Sequence, residues 1–125
     1  MARHYHVDIA VFAAQADRKW VDNLLSHFDV PGVEAAKQGV ARRVSAHGVY
    51  HVALTRRLAE EAGMSVATAL SVARQLLTTD ANHVALGPGL ELRIDRQLFQ
   101  RGVDELIAEG VEAIVPRRRG RPPGR

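Results

Sequence analysis

The chain has 125 residues, 46% of them hydrophobic and 25% charged, the make-up of one globular domain with short appendages. It has no cysteine, which excludes disulfides, thiolate zinc sites and a cysteine nucleophile and fits a reducing compartment. The formal charge of +3 is unevenly placed: five of the seventeen Lys and Arg residues lie in the last ten positions, leaving twelve against fourteen acids in residues 1–115. The basic surplus therefore belongs to an arm on a slightly acidic body. Residues 1–78 carry nine basic and seven acidic side chains, and residues 79–115 carry three and seven. An acidic segment is a poor DNA face and a natural protein-contact face. No apolar run approaches the ~20 residues of a membrane span, and Met1-Ala2-Arg3-His4 opens no signal-peptide pattern, so the expected location is cytoplasmic and nucleoid-associated, away from membranes.

Tyr5 to Ala16 is apolar with His6 and Asp8 near its start, and it reads as an extended entry followed by a short helix, although its period does not decide between strand and helix. Asp17 suits the N-cap of a helix over residues 18–27, on which Trp20, Val21, Leu24, Leu25 and Phe28 form one apolar stripe. Arg18, Lys19, Asp22, Asn23 and Ser26 fall off that stripe. Asp29-Val30-Pro31-Gly32 ends the helix by turn chemistry. Lys37 to Val44 alternates weakly, as a small hairpin or wing does. Ser45 is the next cap, Gly48 to Ala62 patterns as a helix closed by Gly63, and Ser65 caps a further helix to about Thr78. That last helix is expected to be buried on most sides.

After Asp80 the period changes. Val84, Leu86, Leu90, Leu92 and Ile94 alternate around Gly87-Pro88-Gly89, the pattern of a β-hairpin whose paired residues share an apolar face. Asp95 caps a final amphipathic helix to about Val115, bearing Leu98, Phe99, Val103, Leu106, Ile107, Val111 and Ile114, in which Gly102 and Gly110 each cost roughly 1 kcal/mol relative to alanine. The expected class is mainly α with small β elements: a winged helix-turn-helix over residues 1–78, a hairpin plus helix over 79–115 for dimerisation or partner binding, and a flexible Arg-rich tail over 116–125.

The order of short helix, Asp17-capped helix, Gly and Arg wing, and two further helices resembles the winged helix-turn-helix of MerR-like regulators over residues 5–77. That resemblance implies a recognition helix carrying Arg18, Lys19, Asp22 and Asn23, a wing carrying Arg42 and Arg43, and a buried Val21. The chain departs from the family in having Asp17 as the cap, Val40 or Val44 in place of a wing aromatic, and no long coiled coil or sensing thiols. Arg119-Gly120-Arg121-Pro122, preceded by Arg117 and Arg118, resembles the core of an AT-hook. Glycine has no side chain to strike the groove floor, and proline keeps the following chain extended, so the arginines suit a narrow A·T-rich minor groove. Leu58 to Ser65 also resembles a repressor-type helix-turn segment, but the helix after it offers bases little beyond Arg74, and a core helix pair is the better reading.

Signals for enzyme chemistry are weak. His47 and His51 are four apart with no carboxylate between them and no thiolate to add, which reads as a partly exposed pair near a helix start. No nucleophile elbow or phosphate loop is present. The expected function is a DNA-binding transcriptional regulator without a cofactor, acting on double-stranded DNA as a homodimer. The alternative is an antitoxin that holds a toxin through residues 80–115 and represses its own promoter.

Overall fold

The computed structural model describes residues 3–34 and 42–119, the last five of these (115–119) by their backbone alone. The molecule is mainly helical with a few short antiparallel strands. β1 (His4–His6) runs directly into α1 (Val7–Ala14), and the cap between them is a histidine: His6 Nδ1 accepts the Asp8 N–H at 3.1 Å. α1 is apolar nearly all round, with Val7, Ile9, Ala10, Ala13 and Ala14 buried. It stops where Gln15 enters the left-handed region at φ 54° and returns its N–H to the Phe12 carbonyl. Two residues later Asp17 accepts the Trp20 N–H at 2.8 Å and starts α2 (Arg18–His27). Of the apolar stripe on α2, Val21 and Leu24 are buried, and Trp20, Leu25 and Phe28 are half-buried against the same core.

Of the wing, the described residues give two short strands. β2 (Val33–Glu34) and β3 (Arg43–Ser45) pair antiparallel, Val33 opposite Val44 and Glu34 opposite Arg43, while Lys37 and Val40 lie outside the described residues. β1 pairs with the other edge of β3, Tyr5 opposite Val44, so the sheet order is β1-β3-β2 with a fully buried Val44 at its centre. Pairing β1 to β3 joins segments some forty residues apart, which no local pattern reveals. The turn after α2 lies on the start of α3 (Ala46–Glu61). Gly32 has φ +84°, and a Cβ on Gly48 would fall 2.6 Å from the Gly32 carbonyl oxygen. Ser45 closes this junction, its N–H donating to Gly32 O while its Oγ accepts the Gly48 N–H and caps α3.

α3 and α4 (Val66–Thr78) pack together across residues 62–65. At that turn Gly63 has φ +67°, and the Ala62 and Met64 N–H groups both return to the Leu58 carbonyl. α4 buries one broad face, Ala69, Leu70, Val72, Ala73, Leu76 and Leu77, whereas Ala67, Thr68, Ser71, Arg74 and Gln75 are exposed. The expected burial on most sides is therefore not found, because the polar Thr68, Ser71, Arg74 and Gln75 form an opposite, exposed face. β4 (His83–Gly87) and β5 (Leu90–Arg93) form the hairpin, with Val84 opposite Leu92. A bulge at Leu86 breaks the alternation, and Leu86 and Leu90 are 40% and 60% exposed instead of sharing the inner face. α5 (Arg96–Arg119) begins under its Asp95 cap and runs through Pro116, past the predicted end near Val115.

Two apolar clusters result. One joins α1, α2, β3 and the start of α3 to Val103 and Ile107 of α5, and the other joins the end of α3, α4 and Val84 of the hairpin. Both draw on residues from either side of position 79. No helix among the described residues is long and apolar enough to cross a membrane.

Candidate nucleic-acid interface

The exposed edge of α2 is set by what its other edge buries. Val21 at 0% and Leu24 at 2% exposure face the core, which leaves Arg18, Lys19, Asn23, Ser26 and His27 exposed and Asp22 half-buried. Lys19 and Asn23 have side chains with no hydrogen bond or ion pair to any described residue, as donors for a base edge or a phosphate require. Arg18 and Asp22 are held differently. The Arg18 guanidinium meets Asp8 Oδ1 at 2.5 Å and Asp22 Oδ1 at 3.2 Å. Asp22 in turn lies 3.7 Å from Arg42 Nη1, and Arg42 Nη2 donates to Ser26 Oγ at 3.2 Å. An alternating row of Asp8, Arg18, Asp22 and Arg42 thus links the start of α1, the recognition-helix candidate and the base of the wing along one edge.

This row redistributes the predicted roles. Of the two wing arginines, Arg42 is turned back onto α2, while Arg43 is exposed on β3 opposite Glu34. Asp22, singled out as a site residue, is a bracket between two arginines. Its pairing with Arg18 has i, i+4 spacing, a signal the sequence reading did not use. Asp8 and Ser26 escaped notice as partners because their contacts span ten and sixteen residues. The edge as a whole is electrically balanced: Arg18, Lys19, Arg42 and Arg43 stand among Asp8, Asp17, Asp22 and Glu34. Long-range attraction for a polyanion must then come from elsewhere in the chain.

α5 supplies a source. Gly110 packs so closely on α1 that a Cβ would lie 3.0 Å from Phe12 Cδ2, and Ile114 shares a cleft of about 610 Å³ with Asp8, Phe12 and Arg18. The helix that bears the arginine tail therefore reaches the same edge as the start of α2. The backbone of Arg117, Arg118 and Arg119 is on the end of α5, whereas Gly120, Arg121 and Pro122 lie outside the described residues.

Two polar positions lie apart from this edge. His51, read from sequence as half of a partly exposed pair, is 0% exposed, its ring edge-on to that of exposed His47 at 4.5 Å. Burial is the main reason its pKa falls to about 4, with the Nδ1 contact to the His47 carbonyl opposing the shift. Its Nε2 and the Thr55 hydroxyl, one turn on, are buried without a partner among the described residues. Tyr50 OH donates to Asp104 Oδ1 at 2.6 Å and joins α3 to α5; burial and that carboxylate push its pKa up to about 12.

No protein-family model matches the chain, and no curated protein or solved structure gives a significant match.

Proposed function

We propose that the chain is a DNA-binding transcriptional regulator in which α1 and α2 act as a helix-turn-helix and β2 and β3 as the base of a wing. The observation that carries this reading is the closure of the α1–α2 pair by a sheet of order β1-β3-β2, with Arg42 bonded back to Ser26 of α2. A helix in the major groove and a strand pair against the adjoining backbone need a fixed mutual geometry, and this contact supplies one. Lys19 and Asn23 would read base edges, Arg43 a phosphate, and the arm from Arg117 to Pro122 the neighbouring minor groove.

The test is to select a site from random duplexes with the full chain and then measure Lys19→Ala and Asn23→Ala on it by fluorescence anisotropy. Each loss should weaken the selected site by roughly tenfold or more, the effect of a base contact worth ~1–3 kcal/mol. Asn23→Ala should also relax the preference at one base pair. Unchanged affinity in both variants sinks the reading. The exposed Leu86, Leu90 and Leu98 favour a second reading, an antitoxin with a toxin on residues 80–115. A stable complex with the product of a neighbouring gene, recovered from co-expression, would select it.

A further inference from the structure

His6 holds one ring atom between two partners of opposite kind. Its Nδ1 accepts the Asp8 N–H at 3.1 Å, which caps α1, and lies 3.3 Å from Oδ2 of the Asp8 carboxylate. A backbone N–H can only donate, so the capping ring carries its proton on Nε2 and is neutral. A second proton must go to Nδ1. It ends the cap, because Nδ1 then has no lone pair to offer, and it gives that atom a hydrogen to donate to the carboxylate beside it. Solvent protons can reach the ring, since 35% of the side chain is exposed.

The same carboxylate holds Arg18: its Oδ1 meets Arg18 Nη1 at 2.5 Å, while Arg18 Nε rests on Asp22 Oδ1 at 3.2 Å. We infer that His6 is a proton-operated latch on the start of α2, whose imidazolium takes over the Asp8 carboxylate and lets the Arg18 fork, still anchored through Asp22, turn to a DNA phosphate. The charges around the ring favour this exchange. Arg43 of β3 stands opposite His6, Glu34 of β2 lies beyond Arg43 in the same row, and Glu34 already has His4 of β1 at 3.4 Å. Arg43 and Glu34 offset each other, so Asp8 is the anion that receives the new charge. Without the proton, His6, Asp8 and Arg18 sum to zero; with it they sum to +1, on an edge otherwise balanced. Histidine makes this change between pH 5 and 8, where ordinary Asp, Glu, Lys and Arg side chains keep their charge.

The latch rests on the DNA-binding reading for its use, but its first readout contains no DNA, so either can fail alone. In NMR of the full chain, lowering pH from about 7.5 to about 5.5 should shift the Asp8 amide, reduce its protection against exchange and alter the Arg18 side-chain signals, all with the midpoint of the His6 ring. Anisotropy on duplex DNA at fixed ionic strength should then show affinity about fivefold higher at the lower pH, as one added charge contact in water gives. The slope of log K against log salt should steepen by about 0.9. His6→Asn, which caps helices and takes no proton, should remove both responses. Asp8→Asn should bring the affinity at the higher pH up to that of wild type at the lower, and His83→Gln, on the hairpin, should keep the full response. An Asp8 amide that stays protected while the ring titrates overturns the inference, as does an affinity gain that survives in His6→Asn. If the chain binds no DNA at either pH, the DNA-binding reading fails, and the Asp8 and Arg18 signals alone decide the latch.

Discussion

Gln15 shows how a single residue's conformation becomes measurable. It ends α1 at φ 54°, where its Cβ crowds the backbone and glycine does not. Gln15→Gly should therefore raise unfolding free energy by about 0.5–1 kcal/mol in urea titration, despite the added freedom of the unfolded chain. Gly48 has the opposite character, since a Cβ there meets backbone at 2.6 Å. Gly48→Ala should cost ~2 kcal/mol or more, because both the Gly32 turn and the α3 start must separate. Asp22 links stability to function. Asp22→Ala leaves Arg18 on Asp8 and Arg42 on Ser26 but removes one anion from the proposed DNA face. Stability should change by less than about 1 kcal/mol, as for exposed ion pairs. Affinity for non-specific DNA should rise about fivefold, the factor for a ~1 kcal/mol contact repulsion in water. A fall in affinity would instead mark Asp22 as a base reader.

At the scale of elements, what the sequence disclosed was local. Asp17, Ser45, Ser65 and Asp95 each accept an N–H three residues ahead, and all four were legible because a cap and its partner belong to one short window. His6 does the same work for α1 with an uncommon cap, so the β1–α1 boundary remained open in the pattern. The β1–β3 pairing and the return of Arg42 to α2 depend on chain reversal over many residues and leave no periodic trace. Burial of His51 was hidden for another reason: α3 is covered on several sides, by α1, α4 and α5, so a period of 3.6 no longer separates inside from outside. That helix carries a titration signature. His51 folds with its pKa lowered to about 4, so the native state binds its proton less readily than the unfolded chain. The stability this gives is complete above pH ~6.5 and falls as pH drops from there to 4, by about 3 kcal/mol in all. Urea titrations of wild type and His51→Leu should show that portion of the acid slope missing from the variant. Parallel slopes would mean that His51 is solvated and titrates normally.

For the whole molecule, the decisive fact is that its charge and its fold are separately located. The folded edge proposed to read bases is balanced, cation against acid, and residues 79–115 are acidic, so the body has little pull on a distant polyanion. The five terminal arginines invert the sign of the whole chain, and α5, which precedes them, reaches the edge that holds Arg18 through Ile114. Affinity and choice should then be separable. Removing residues 116–125 takes away as many as five phosphate contacts, each contributing about 0.9 to the slope of log K against log salt on duplex DNA. The truncated chain should lose up to ~4.5 units of that slope and bind more weakly at low salt, yet keep its ranking among duplex sequences wherever Lys19 and Asn23 set the preference. The A·T preference of flanking sequence should disappear with the arm, because narrow minor grooves reward inserted arginines. Anisotropy titrations of both chains at several salt concentrations, on one site with A·T-rich and G·C-rich flanks, measure all three quantities. Equal slopes would remove the arm from recognition. A changed ranking would move sequence choice off α2 and onto the tail.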